Sequence, residues 1–161
     1  FVLDSDPKVA AQMACDKHVV KMILETAQML STVQHKNGMN APYKPTHANH
    51  PCTRWAGETK ENYSWLWEHG VALCEEYTHR YGKTHKCQAL FFDAFCTIPN
   101  LPSKGLTPFA QAMPDQHKRK DAVEAYRQYY IHEKAHFAKW KNREVPEWFA
   151  VATSKIGIDN V

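Results

Sequence analysis

No stretch of this chain is apolar for long enough to cross a bilayer, and no signal-peptide pattern opens it. Membrane and secretory classes are set aside, and a cytoplasmic protein is expected. A phosphate-cradling glycine-rich loop, a G-x-S-x-G elbow and a dinucleotide fingerprint are all missing. No alternating polar and apolar run reads as a strand, and no internal repeat is found. No paired C-x-x-C knuckle occurs among the five cysteines, Cys15, Cys52, Cys74, Cys87 and Cys96. Odd in number and widely spaced, in a chain large enough to bury a core without staples, they read as reduced thiols. His47, His50 and Cys52, with His85 and Cys87 downstream, have zinc-ligand chemistry but lie among prolines on different segments. A capping or cleft-lining role for His50 is the preferred reading, and neither a metal nor a cofactor is expected. Strong charge of one sign is also lacking. The formal balance is +3, with ten histidines to add to it in mild acid, which permits nucleic acid without demanding it.

What the 161 residues do contain is helical periodicity, and the expected fold is all-α in a single domain, 1–161. The first residue is Phe rather than Met, so the sequence is read as cut at its start. Asp4-Ser5-Asp6-Pro7 reads as a capped helix start, with Pro at the first helical position. Asn37-Gly38 closes the first helical stretch, and Gly82 closes a second that begins near Thr53. Pro99, Pro102, Pro108 and Pro114 keep residues 98–114 from being helix for long. Three long helices are therefore predicted, near 8–35, 53–81 and 115–141. One core should unite them, led by Ile23, Leu24, Leu66, Leu73 and Val123.

The stretch from Cys15 to Gln34 carries the most chemistry. Wound at about 100° per residue, it gathers Val19, Val20, Ile23, Leu24, Ala27 and Leu30 on one arc. His18, Lys21, Glu25, Gln28 and Thr32 fall opposite, flanked by Met22 and Met29. A proton acceptor, an amine and a carboxylate thus share one face, as acid–base or Schiff-base chemistry requires. A solvated face would look the same. Near the other end, Lys120, Arg127, Lys134 and Lys141 recur every seven residues, a stripe that drifts only about 20° per heptad on a continuous helix. Tyr126, Tyr129, Tyr130, Phe137 and Trp140 run beside it. Basic side chains next to stackable rings suit a phosphate backbone and a displaced base, and the alternative is that the rings face the core. Arg54 and His50, around the start of the second helix, are counted with them as candidate DNA-binding residues.

Several pieces occur in an order that resembles the phage pyrimidine-dimer DNA glycosylase/abasic-site lyases of the endonuclease V type. They are Asp16-Lys17-His18 followed seven residues later by Glu25, an aromatic-rich helix running through Cys74 to Gly82, and Tyr129-Tyr130 followed by Lys134. The segments KHVVKMILETAQMLST, THANHPC, YRQYYIHEKA and VPEWF are also similar to phage proteins of that kind. The resemblance implies a compact all-α enzyme acting on double-stranded DNA, with a flipped or damaged base. It gives Glu25 the role of catalytic carboxylate and His18 a contact to the lesion or its sugar-phosphate. It also implies an amine nucleophile, which in that family is the α-amine of the mature N-terminus; Lys21 is the candidate within view. The family's two arginines around the carboxylate correspond here to Leu24 and Gln28. A DNA base-modifying transferase acting on a thymine-derived base, and a non-catalytic helical DNA- or protein-binding module, remain as alternatives. His18, Lys21 and Glu25 are expected to share a cleft, closed by the His47–Arg54 loop and by Tyr130 or Glu133.

Overall fold

A computed structural model describes residues 1–155 and is helical throughout, with no strand among the described residues. None of its helices is long and apolar enough to cross a membrane. The first predicted helix is two. α1 (Pro7–Met13) starts where Asp6 accepts the backbone N–H of Lys8 and Val9, and α2 (Asp16–Lys36) follows a break at Ala14-Cys15. The second predicted helix is also two. α3 (Pro51–Ala56) is capped by the His50 ring, whose Nδ1 accepts the Cys52 N–H at 3.1 Å. α4 (Lys60–Tyr81) starts on Thr59 and ends at Gly82, which adopts the left-handed conformation that glycine allows without strain. A short helix α5 (Gln88–Leu90) runs into a π-helical turn, Phe91–Phe95.

The core lies where α2 and α1 pack on α4. Ile23, Leu66 and Leu73 are buried in it as expected, while Leu24 and Val123 are only half-buried against it. Val20, placed on the apolar arc, is 41 % exposed, whereas Met29 and Thr32 from the polar side are buried. The reason is that α2 is covered from more than one direction. Residues 39–50 wrap its C-terminal half, with Ser31 and Thr32 donating to the carbonyls of Tyr43 and Thr46 at 2.9 and 2.6 Å. Close approach governs one point on α4. A Cβ at Gly70 would press into the Phe91 ring, 2.7 Å from its Cζ. Gly70→Ala is expected to cost about 1–3 kcal/mol through overpacking, visible as a lower urea midpoint at unchanged slope.

The predicted helix 115–141 is the main correction. Asp115–His117 is a single 3₁₀ turn, and the α-helix proper, α6 (Ala122–Tyr129), begins only after Asp121 accepts the Val123 N–H. Tyr130–Lys134 is a π-helical turn, and no helix continues through residues 135–141. Past that turn the chain folds back, so that the Lys139 carbonyl accepts the Asp16 N–H and Trp140 donates to the Met13 carbonyl. The seven-residue drift presumes one unbroken α-helix; with Lys120 before α6, Lys134 in the π turn and Lys141 beyond it, the four basic residues share no single helix face. A last helix, α7 (Glu147–Lys155), packs beside the π turn.

Candidate active site

Between α2, α4, the His47–Cys52 segment and α6 lies a cleft of about 270 Å³. Cavities of roughly 150 Å³ already hold a benzene ring, so this one has room for a larger flat ring system. α2 contributes His18, Lys21, Met22, Glu25, Thr26 and Met29, one face over three turns. The expected trio is thus brought together. His47, His50 and Cys52 line the cleft from the loop side, and Lys134 reaches it from the π turn. Much of the remaining wall is aromatic, Phe1, Trp55, Trp65, Phe109, Tyr126 and Tyr129, with small or aliphatic side chains between the rings. Phe109 arrives on the proline-rich loop, which is pinned to the start of α4 where Asn62 donates to Thr107 Oγ1 and accepts the Thr107 N–H, at 2.7 and 3.0 Å.

Glu25 is the most unusual group in this wall. Its Oε2 is buried and has no hydrogen-bond partner, and the nearest cation is Lys21 Nζ at 3.9 Å, one helical turn away. Buried carboxylate oxygens are ordinarily satisfied, so one left open toward a cavity is a group held ready for something else. His18, by contrast, is held in place through Nδ1 and its ring face. It is 5 % exposed, its Nδ1 lies 2.6 Å from the Tyr130 hydroxyl, and Phe1 stacks on its ring with centroids 4.0 Å apart. Burial, then neighbouring positive charge that includes Lys134, Lys21 and Lys17, pushes its pKa down to about 3. His18 is therefore a neutral ring at pH 7. His50 is lowered too, by burial and by His47, with Glu25 pulling the other way.

The other expected site residues lie elsewhere. Tyr130 is fully buried beneath His18 and donates its hydroxyl toward the Cys15 thiol, and Trp140 is 9 % exposed against Phe149. Both rings face the core, the alternative to the expected stacking of Tyr130 and Trp140 on a displaced base. Arg127 is half-buried, donating to the Leu3 carbonyl at 2.9 Å and pairing with Asp4 at 3.5 Å. It clamps the N-terminal segment that forms one wall of the cleft. Arg54 is exposed on α3 beside Asn49, and Lys141 is exposed over the Tyr81 ring. Lys120 is exposed with Lys118 and Arg119 around a separate shallow depression beside Phe109 and Gln111. Glu133 points away from the cleft to His117. No group of three or more His, Cys, Asp or Glu among the described residues is placed to hold a metal ion.

Sequence reasoning missed the floor of the cleft. Trp65 and His69, four apart on α4, stack at 5.1 Å, a spacing that was legible in Trp-Leu-Trp-Glu-His but reads as ordinary core. His69 is buried, donates Nδ1–H to the Pro7 carbonyl at 2.9 Å, and has its pKa pushed down to about 4, chiefly by burial. Together with His18 it makes stability depend on pH. Both histidines take up protons near pH 6.5 when unfolded but only near 3 and 4 when folded, so the unfolded state binds more protons between those limits. Stability is expected to be highest above about pH 6.5 and to fall by several kcal/mol as pH drops toward 4, since each tenfold change in proton affinity between the two states is worth about 1.4 kcal/mol. Urea titrations at pH 7.5 and 4.5 measure this directly.

Neither the curated proteins nor the solved structures give a match to this chain. A family model does: pyrimidine dimer DNA glycosylase, over residues 1–89, more than half of the sequence, including α1 to α4 and the cleft's carboxylate, amine and histidines. With that match over the half that builds the carboxylate face, the chain belongs to the pyrimidine dimer DNA glycosylase family.

Proposed function

We propose that this member of a DNA glycosylase family removes a base from DNA and then opens the abasic site, using Glu25 and an amine in the 270 Å³ cleft. One observation carries the reading: the unpartnered, buried Glu25 Oε2, facing an aromatic cleft beside an amine. An amine that attacks C1′ displaces the base, whose departing nitrogen takes a proton, and the opened sugar is then held as an imine. Glu25 stabilises the cationic imine and shuttles the C2′ proton whose loss expels the 3′ phosphate. The amine is Lys21 Nζ, or an α-amine carried on the N-terminal segment, whose Phe1 lines the same cleft. His18, neutral and fixed by Tyr130, sets the wall against which the sugar sits. Double-stranded DNA with one base turned into the cleft fits the depth of Trp65 and His69, and Lys134 at the cleft with exposed Lys120 and Lys141 supplies cations for phosphates.

Borohydride trapping with DNA containing an abasic site tests this. A covalent protein–DNA adduct is expected; Glu25→Gln, blocked at the elimination that follows imine formation, is expected to lose strand opening, and absence of any adduct in the wild-type protein would overturn the lyase assignment. A second reading has its own observation. The family's two arginine positions offer no guanidinium here, since Leu24 packs on the core and Gln28 is held by His47 at 3.0 Å. That favours a substrate gripped differently, and thus transfer of a group onto a thymine-derived base. Turnover that leaves the glycosidic bond intact would identify it.

A further inference from the structure

His69 is a buried group of the cleft wall that the chemistry above does not use. The Pro7 carbonyl can only accept, so the 2.9 Å bond fixes the proton on Nδ1. With its pKa near 4 the ring carries no second proton at pH 7, and Nε2 is left as a lone-pair acceptor. Nε2 has no hydrogen-bond partner among the described residues, although His69 is only 6 % exposed. It is not among the buried atoms left without a partner, and His69 lines the cleft, so water there can reach it and a donor on a bound ligand can take that water's place. The ring also cannot swing away, because Trp65 stacks on it and the Pro7 bond holds its other edge.

The surroundings narrow what that ligand is. Trp55, Trp65 and Phe109 form a mutually packed aromatic wall, with centroids 4.9 to 6.1 Å apart, which suits a flat ring. Two groups of the cleft wall that no protein donor satisfies, the buried Glu25 Oε2 and the more open His69 Nε2, are both acceptors, so a ligand that engages them brings donors. Lys21 and Lys134 give the same cleft positive charge. We infer that His69 is a specificity-determining residue, accepting an N–H from the edge of a nucleobase lodged against Trp65, with the nucleotide's phosphate toward Lys21 and Lys134. The inference rests on reading the cleft as a base-processing site, and extends it to which bases are admitted: those with a ring imide or exocyclic amino N–H.

Quenching of tryptophan fluorescence by mononucleotides tests it, since Trp55 and Trp65 lie in the wall. The probes are thymidine 5′-monophosphate against its N3-methyl derivative, and deoxyadenosine 5′-monophosphate against its N6,N6-dimethyl derivative. The wild-type protein is expected to bind the N–H member of at least one pair about tenfold or more tightly. His69→Asn is expected to lose that preference and still fold, with a melting temperature lowered by the lost packing on Trp65, because the asparagine amide can still donate to the Pro7 carbonyl while nothing replaces Nε2. His69→Gln, whose amide oxygen reaches further, is expected to recover part of it. Equal binding within both pairs, no binding of any probe, or a preference that survives in His69→Asn each overturns the inference. Should His69→Asn fail to fold, the wild-type comparison decides alone. A base preference without imine trapping would leave His69 standing and remove the lyase; trapping without a preference would do the reverse.

Discussion

Glu76→Ala is expected to lose about 3–5 kcal/mol of folding stability. The Arg80 side chain is completely buried, and its guanidinium donates to Glu76 Oε2 at 2.7 Å, Asp16 Oδ1 at 3.0 Å and the Gln12 carbonyl at 3.0 Å. Glu76, itself 3 % exposed, also accepts two bonds from Arg143, both at 2.9 Å. Deleting the carboxylate leaves the buried guanidinium with only Asp16 and the Gln12 carbonyl as partners, so part of its desolvation cost in the low-dielectric interior is no longer offset. Burial alone would push the Glu76 carboxyl up, but the Arg143 and Arg80 guanidinium groups outweigh it and hold it below its ordinary value. That contribution is present above the ordinary carboxylate range and lost as pH falls through the depressed folded value, in the same direction as the histidine effect. Arg143→Ala removes a third-exposed partner and is expected to cost about 1 kcal/mol or less. A Glu76→Ala urea midpoint within error of the Arg143→Ala midpoint would show that the network does not hold the fold. The network matters to the site because it joins α4, the start of α2 and the Lys141–Arg143 segment, the same C-terminal half that supplies Tyr126, Tyr129 and Lys134 to the cleft.

The local rules of helix formation were legible wherever local chemistry decides. Asp6-Pro7 started a helix, Gly82 ended one, and the prolines of 98–114 kept that stretch irregular. Periodicity also placed His18, Lys21 and Glu25 on one wall. It failed where burial comes from several directions. A moment points one way, but α2 is covered by α4, by residues 39–50 and by Tyr130, so Thr32, Met29 and His18 are buried although they lie off the apolar arc. The C-terminal half was less readable because a π turn leaves no signature in residue type. One inserted residue at Tyr130–Lys134 swings Tyr130 inward onto His18 and ends the register on which the basic stripe depended. A start signal was present all the same: Asp121 with Glu124 three residues on has the capping-box pattern, six residues after the predicted start at 115. The His69 acceptor could not be found at all from sequence, since its meaning depends on the carbonyl of Pro7, sixty-two positions away.

Glu25→Gln is expected to lower the rate of the chemical step by about 10²–10⁴-fold, the range ascribed to a positioned acid–base group, while leaving folding stability unchanged within about 1 kcal/mol or raising it. The two halves of this expectation come from one fact. A carboxylate oxygen that is buried without a hydrogen-bond partner, with the Lys21 amine 3.9 Å off, contributes little that holds the helix together. Replacing it by a neutral amide of the same shape removes a charge the fold does not satisfy, so a purely structural role predicts no penalty in rate. A proton shuttle and cation stabiliser predicts a large one, because an amide can neither take the C2′ proton nor balance an imine's charge. Reading single-turnover cleavage of abasic DNA and the urea midpoint on the same sample separates the cases. Full activity in the variant would return Glu25 to the solvated-face reading of α2. Lost activity with a folding stability lower by several kcal/mol would mean that the carboxylate holds the fold rather than the reacting sugar. Lys21→Met tells the two amines apart: if Lys21 is the nucleophile its loss ends adduct formation. If the α-amine of the N-terminal segment is, trapping persists, and Lys21 serves only to keep a positive charge one turn from Glu25.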